Sequence, residues 1–124
     1  MNTARPLVSQ ADPAGPDEDP KALRVFPLEA GQQTVMVVSG EADISNARAL
    51  RDQLIEASVS GSPPLVVDVV DLEFCDLFGL DAMREAAAIA ETAGVGMTFR
   101  GMSRRLRWLD GTFPFQMPGQ RTIA

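Results

Sequence analysis

The sequence predicts an α/β domain: a mixed β-sheet with a parallel core, packed by helices. Three observations predict it. Strand-like and helix-like stretches alternate between Thr34 and Gly101, and such alternation gives parallel strands joined by right-handed crossovers. The run Leu65, Val66, Val67, Val69, Val70 is β-branched and nearly continuous, the mark of a buried central strand. The stretch from Leu77 to Ala93 is rich in Ala, Leu, Met and Glu and favours helix.

Residues 1–21 hold Pro6, Pro13, Pro16 and Pro20, the acidic cluster Asp17, Glu18, Asp19, and few large apolar side chains. This composition predicts a disordered leader ahead of a single domain over residues 22–113. Ala22 to Glu29 alternates loosely, and Pro27, with no N–H to donate, makes it an edge strand. A turn through Ala30 to Gln33 leads to a second strand, Thr34 to Ser39, and a hairpin is the simplest pairing. Gly40 to Asp43 closes that strand. Ser45, with Asp43 as the alternative, caps a helix over residues 46–57 whose Ala47, Leu50, Leu54 and Ala57 form one apolar stripe.

Pro63 and Pro64 bound the central strand on its N-terminal side. Asp68 interrupts it, and a carboxylate there requires hydrogen-bond donors or a wet strand end. Asp76 is placed to cap the helix over residues 77–93, accepting from the free N–H groups of its first turn. Gly94 ends that helix, Val95 to Gly101 forms the next strand, and Ser103 to Leu109 a short last helix. Residues 114–124 are expected to be a C-terminal tail.

Composition narrows the function. A formal net charge of -6 argues against nucleic-acid binding. No stretch approaches a membrane span and no secretory signal is visible, so a cytoplasmic protein without membrane insertion is expected. Cys75 is the single cysteine, which excludes an internal disulfide, and its place between Phe74 and Asp76 suits a small buried residue. The chain has no histidine and no tyrosine. A histidine-dependent triad, an imidazole base and a Cys/His zinc site are therefore excluded, and no catalytic residue, metal or cofactor is expected.

Two clusters invite sharper readings. Asp68, Asp71, Glu73 and Asp76 would suit a Mg²⁺-holding, phosphorylatable pocket. The one lysine, Lys21, lies in the leader, where it cannot assist such chemistry, and Asp71 and Glu73 read as loop-solvating. Neither a phosphate-binding loop nor a dinucleotide glycine pattern is present. Arg100, Arg104, Arg105 and Arg107 beside Trp108 form the basic spot of an acidic chain, either a solvated helix face or an electrostatic dock for an acidic partner.

The order Asp68, Val69, four residues, Phe74, Cys75, Asp76, Leu77, Phe78, Gly79, Leu80 resembles, without a gap, the D-L-(x4)-F-(x)-D-S-S-G-L stretch of the STAS domain of anti-sigma-factor antagonists. Upstream, Gly40, Glu41, Ala42 and Asp43 match the G-E-(x)-D turn of that family. The resemblance covers roughly Ala22 to Phe113 and implies a single STAS-like domain with a longer final helix than this chain provides. It implies a non-catalytic bacterial regulator of transcription and stress response, which binds an anti-sigma factor of the serine-kinase type and so frees a sigma factor. The partner-binding residues implied are Glu41, Asp43, Ser45, Asp76, Leu77, Phe78, Gly79 and Leu80. Leu77 and Phe78 replace the two serines, the first of which is the phosphate acceptor in regulated members. Leucine has no hydroxyl, so phosphorylation at this position is excluded. The apolar pair either packs beneath the sheet or joins a docking face. STAS-like domains also serve as accessory subunits binding an ABC-type transporter ATPase, or as scaffold subunits of signalling assemblies. Both remain alternatives.

Overall fold

The structure, a computed structural model, describes residues 21–113 apart from 32 and 62. The expected leader over residues 1–21, save Lys21, and the tail over 114–124 lie outside the described residues. The elements run β1 (Arg24–Ala30), β2 (Gln33–Ala42), α1 (Ala47–Ser60), β3 (Leu65–Asp68), β4 (Leu72–Cys75), α2 (Leu77–Thr92), β5 (Met97–Arg100) and α3 (Arg104–Thr112). The sheet has the order β1-β2-β3-β5. β1 is antiparallel to β2, from Arg24 opposite Ser39 to Ala30 opposite Gln33, whereas β2, β3 and β5 are parallel. The expected mixed sheet with a parallel core is therefore the architecture found.

One face of the sheet meets the helices. Met36 and Val38 of β2 and Leu65 and Val67 of β3 pack with Leu50 and Leu54 of α1, Leu80 and Met83 of α2, and Leu106 and Leu109 of α3. Leu50 and Leu54 are fully buried, each contributing about 1.5–3 kcal/mol relative to exposure. The Ala-rich composition of α2 now has a reason: Ala82, Ala86 and Ala90 are buried, and their small side chains let the helix axis lie close to its neighbours.

The central strand is shorter than its apolar run suggested. β3 stops at Asp68, whose Oδ1 accepts from Val70 N at 3.0 Å while Oδ2 accepts from Arg100 Nε at 3.1 Å. That local bond turns the chain, leaving Val69 buried and Val70 65% exposed. A further strand, β4, was not expected. It pairs in parallel with the end of β2, Glu41 opposite Phe74 and Ala42 opposite Cys75. β2 accordingly does not close at Gly40 but passes through it with a register shift, at a φ of +91° where a Cβ would collide with the Ala22 carbonyl.

Helix ends also depart from the sequence reading. Neither Ser45 nor Asp43 caps α1. The Asp43 carboxylate accepts both the N–H and the hydroxyl of Ser45, which holds Ser45 in a side-chain turn before the helix. Asn46 stands at the cap position without a side-chain capping bond, its Oδ1 accepting from Asp43 N and its Nδ2 donating to Glu41 O. Along α1, Leu50, Leu54 and Ser58 are the buried positions, while Ala47 and Ala57 are half-buried. For α2 the expected cap is found: Asp76 Oδ1 accepts from Gly79 N at 3.0 Å. α3 runs three residues beyond the expected Leu109, to Thr112. Arg84 of α2 holds this extension, donating to Asp110 Oδ1 at 2.9 Å and to its carbonyl at 2.8 Å.

Asp68 carries a pH signature. Its carboxyl is held below the usual value, chiefly by the Val70 N–H and also by Arg100, with burial opposing. Because the folded value lies below the unfolded one of about 3.9, its stabilisation is fully present above that pH and is lost as pH falls through the folded value. Asp68→Asn keeps an acceptor for Val70 N–H and removes the titration. Urea midpoints measured between about pH 3 and pH 7 should fall less steeply with acid in the variant than in the wild type; parallel acid limbs would show that Asp68 does not carry this linkage.

Candidate partner-binding face

Two turns meet at the end of the sheet where β2 and β4 finish. The first, residues 41–46, leads from β2 into α1, and the second, residues 75–80, leads from β4 into α2. Asp76 N donates to Ala42 O at 3.1 Å and stitches them together. Gly79 then lies directly on Ala42: a Cβ built there would stand 2.7 Å from Ala42 Cβ and 2.9 Å from both Ala42 O and Cys75 Sγ. Only a glycine fits, since contacts that short displace one of the two elements.

This juxtaposition gathers the residues singled out from sequence and also sorts them. Glu41 and Asp43 are half-buried and Ser45 is exposed on the first turn, while Asp76 is half-buried at the start of the second. Leu80 is buried in the core and Gly79 lies beneath the surface, so both shape the face from below. The apolar pair divides. Leu77 is half-buried and packs against the core cluster, whereas Phe78 is 54% exposed. Successive helix residues point about 100° apart, so one side chain can pack inward while the next faces solvent.

Two further members of this surface were not among the expected partner-binding residues, although Phe74 belongs to the matched motif. Ile44, 67% exposed, projects from the first turn between Asp43 and Ser45. An apolar residue in a polar turn, claimed by neither strand alternation nor helix period, was the available signal. Phe74 of β4, 40% exposed, has the Arg105 guanidinium 5.6 Å from its ring centroid, within cation–π range.

The electrostatics of the two turns follow from their hydrogen bonds and burial. The Asp43 carboxyl is held below its usual value, first by the Ser45 hydroxyl and then by the Ser45 N–H. It stays ionised and pinned. Burial first, and then the Asp76 charge, push the Cys75 thiol up to about 12, with Arg105 opposing. A thiol so placed stays protonated and weakly nucleophilic. The four acidic residues that suggested a Mg²⁺ pocket are dispersed in role: Asp68 closes β3, Asp76 caps α2, and Asp71 and Glu73 are exposed. Among the described residues no three such groups are arranged to hold a metal ion. A groove of about 320 Å³ lined by Val25, Pro27, Met36, Gln53 and Ala57 opens at the other end of β2, away from this face.

Comparisons with known proteins bear on this arrangement. A search of curated protein sequences finds no match. Among solved structures, an anti-sigma factor antagonist from Mycobacterium paratuberculosis is similar, with 28% identity and a TM-score of 0.55 over 81% of this chain and 89% of that one. An antisigma-factor antagonist STAS domain from Rhodobacter sphaeroides shares the fold at 17% identity, with a TM-score of 0.53 over 64% of this chain and 87% of that one. So does the murine Solute Carrier 26 family member A9 anion transporter, at 17% identity and a TM-score of 0.59, over 69% of this chain but 14% of the transporter. Among the described residues of this chain, no helix is long and apolar enough to cross a membrane. A family model described as "Mlab, STAS domain" matches residues 27–109. With that match across most of the chain, and a mixed sheet and helices arranged as in these structures, the chain belongs to the STAS domain family.

Proposed function

We propose that the chain is a non-catalytic cytoplasmic regulator, an anti-sigma-factor antagonist that binds an anti-sigma factor of the serine-kinase type and thereby frees a sigma factor. Similarity to the mycobacterial antagonist over most of both chains supports the class. One observation carries the mode of action: Ile44 and Phe78, 67% and 54% exposed, stand on the two turns that Asp76 N and Ala42 O join. Exposed apolar side chains on a rigid polar-rimmed platform are what a protein partner buries. Asp43, Ser45 and Asp76 supply the rim, with Glu41 at its edge.

Leu77 stands where regulated relatives have the acceptor serine, so this antagonist is not switched by phosphate at that position. The half-buried state of Leu77 alters how the face is tested. Leu77→Glu would set a charge against the core and disturb folding together with any contact. Phe78 is the cleaner probe.

A second reading, an accessory STAS subunit binding a transporter ATPase, draws on the family model's description and on the transporter that shares the fold. Affinity capture of the full chain from its host's lysate separates the two. An anti-sigma kinase as the main bound protein is expected, and a transporter ATPase in its place would overturn the primary reading. With that partner purified, Phe78→Ala should cost about 2 kcal/mol or more of binding, roughly 30-fold in Kd, by calorimetry. Its urea midpoint should stay near wild type, because the side chain is more than half exposed. Unchanged affinity would remove Phe78 from the interface. Gly79→Ala should behave differently: steric displacement of α2 destabilises the fold by about 1–3 kcal/mol, offset in part by the roughly 1 kcal/mol helix preference of Ala over Gly, and weakens partner binding as well. A variant more stable than wild type, with partner binding unchanged, would contradict the close approach to Ala42.

A further inference from the structure

The first-turn arginines of α3 are unexplained by the fold. Arg51, Arg84 and Arg100 are each engaged in ion pairs. Arg104, Arg105 and Arg107, with Arg48 of α1, make none among the described residues. Arg104, Arg105 and Arg107 also crowd the N-terminal turn of α3, which holds no acidic residue, where the helix dipole disfavours positive charge. Helix stability therefore does not account for them. Arg105 and Trp108, three residues apart, share one stripe of the helix, and Trp108 is 60% exposed. With Phe74 beneath Arg105, this makes a basic and aromatic strip that runs from α3 to the β4 residue next to Cys75 and Asp76.

The entry point of the leader lies across β2 from this strip. Lys21 O accepts from Glu41 N at 3.0 Å, and Glu41 is the parallel neighbour of Phe74, about 4.8 Å across the ladder. Phe74 in turn lies 5.6 Å from the Arg105 guanidinium. Asp17, Glu18 and Asp19 precede Lys21 by two to four residues. Gly40 N donates to Asp71 O on the β4 side while Glu41 N donates to Lys21 O on the other, so Lys21 and Phe74 flank β2 about 10 Å apart. At roughly 3.4 Å per extended residue plus side-chain length, Asp17 and Glu18 span that gap to Arg105. We propose that the acidic segment Asp17–Asp19 of the leader docks reversibly on the Arg105–Trp108–Phe74 strip and competes with the partner for the adjoining face. The contact itself is independent of the partner; the competition rests on the docking face proposed above. Such a tether acts at high effective concentration and is screened by salt.

Trp108 is the one tryptophan of the chain, which makes it a direct reporter. Acrylamide quenching of the full chain at low salt is compared with the triple variant D17N/E18Q/D19N and with Arg105→Gln. The quenching constant should rise about 1.5-fold in each variant and in the wild type at high salt, as expected for partial occupancy by surface charge pairs. A triple variant indistinguishable from wild type overturns the contact. Quenching that changes with protein concentration places the leader on a second copy and overturns the intramolecular reading. Where the partner binds at all, the triple variant should bind it severalfold tighter; equal affinity, with quenching changed, overturns the competition while the contact stands.

Discussion

The structure depends on how closely α2 approaches the end of β2. The Asp76 N–H reaches the Ala42 carbonyl, and three residues later the missing side chain of Gly79 lets the helix rest on Ala42 and Cys75. This contact fixes more than a helix position. It keeps β4 in register with β2, buries Cys75 deeply enough to raise its thiol, and sets Phe78 and Ile44 on one platform. A looser approach would leave two independent turns instead of one surface. The geometry of the face is thus backbone geometry, determined by one hydrogen bond and one absent methyl group.

What could be read from the residues followed the range of the interaction responsible. Asp76 as a cap was legible because capping is decided within four residues, and so was the Leu50–Leu54 stripe, set by helix period alone. The end of β3 was not legible. Its apolar run continues through Val69 and Val70, and only the Asp68 carboxylate taking the Val70 N–H turns the chain. β4 was hidden for the opposite reason: Glu73 and Phe74 are both exposed, so the alternation that marks a strand is absent. That strand exists because β2 continues past Gly40, which is a tertiary fact. Ser45 misled because Asp43 recruits it first. Of the candidate face, the motif residues were found by resemblance. Ile44, outside the motif, and Phe74, a motif residue, both needed the fold to show their exposure.

The division of Leu77 from Phe78 has a chemical consequence. A phosphate at the first turn of a helix is stabilised by the helix dipole and by free N–H groups, so the position is suited to carrying a switchable charge. Leucine there exchanges a titratable, modifiable site for core packing, and the neighbouring phenylalanine moves the surface from polar to apolar. Apolar contact has no off state of its own. Control over the proposed docking surface would then come from competition for it, from the abundance of the chain, from another site or from a ligand.

The proposed competition has its physical basis in the charge distribution. The chain as a whole is acidic, yet the turn of α3 beside the face carries positive charge that neither an ion pair among the described residues nor the helix dipole rewards. Paired arginines such as Arg84, held by Asp81 and Asp110, stiffen the fold and offer nothing further to a partner. Unpaired ones retain their full capacity to bind carboxylates, and a stacked Arg105–Phe74 pair adds an apolar surface that survives salt. An interface built this way has two components with different ionic-strength dependence. In the proposed interface the charged part would set which segments are drawn to it and how fast they exchange, and the apolar part at Phe78 and Ile44 how long a partner stays.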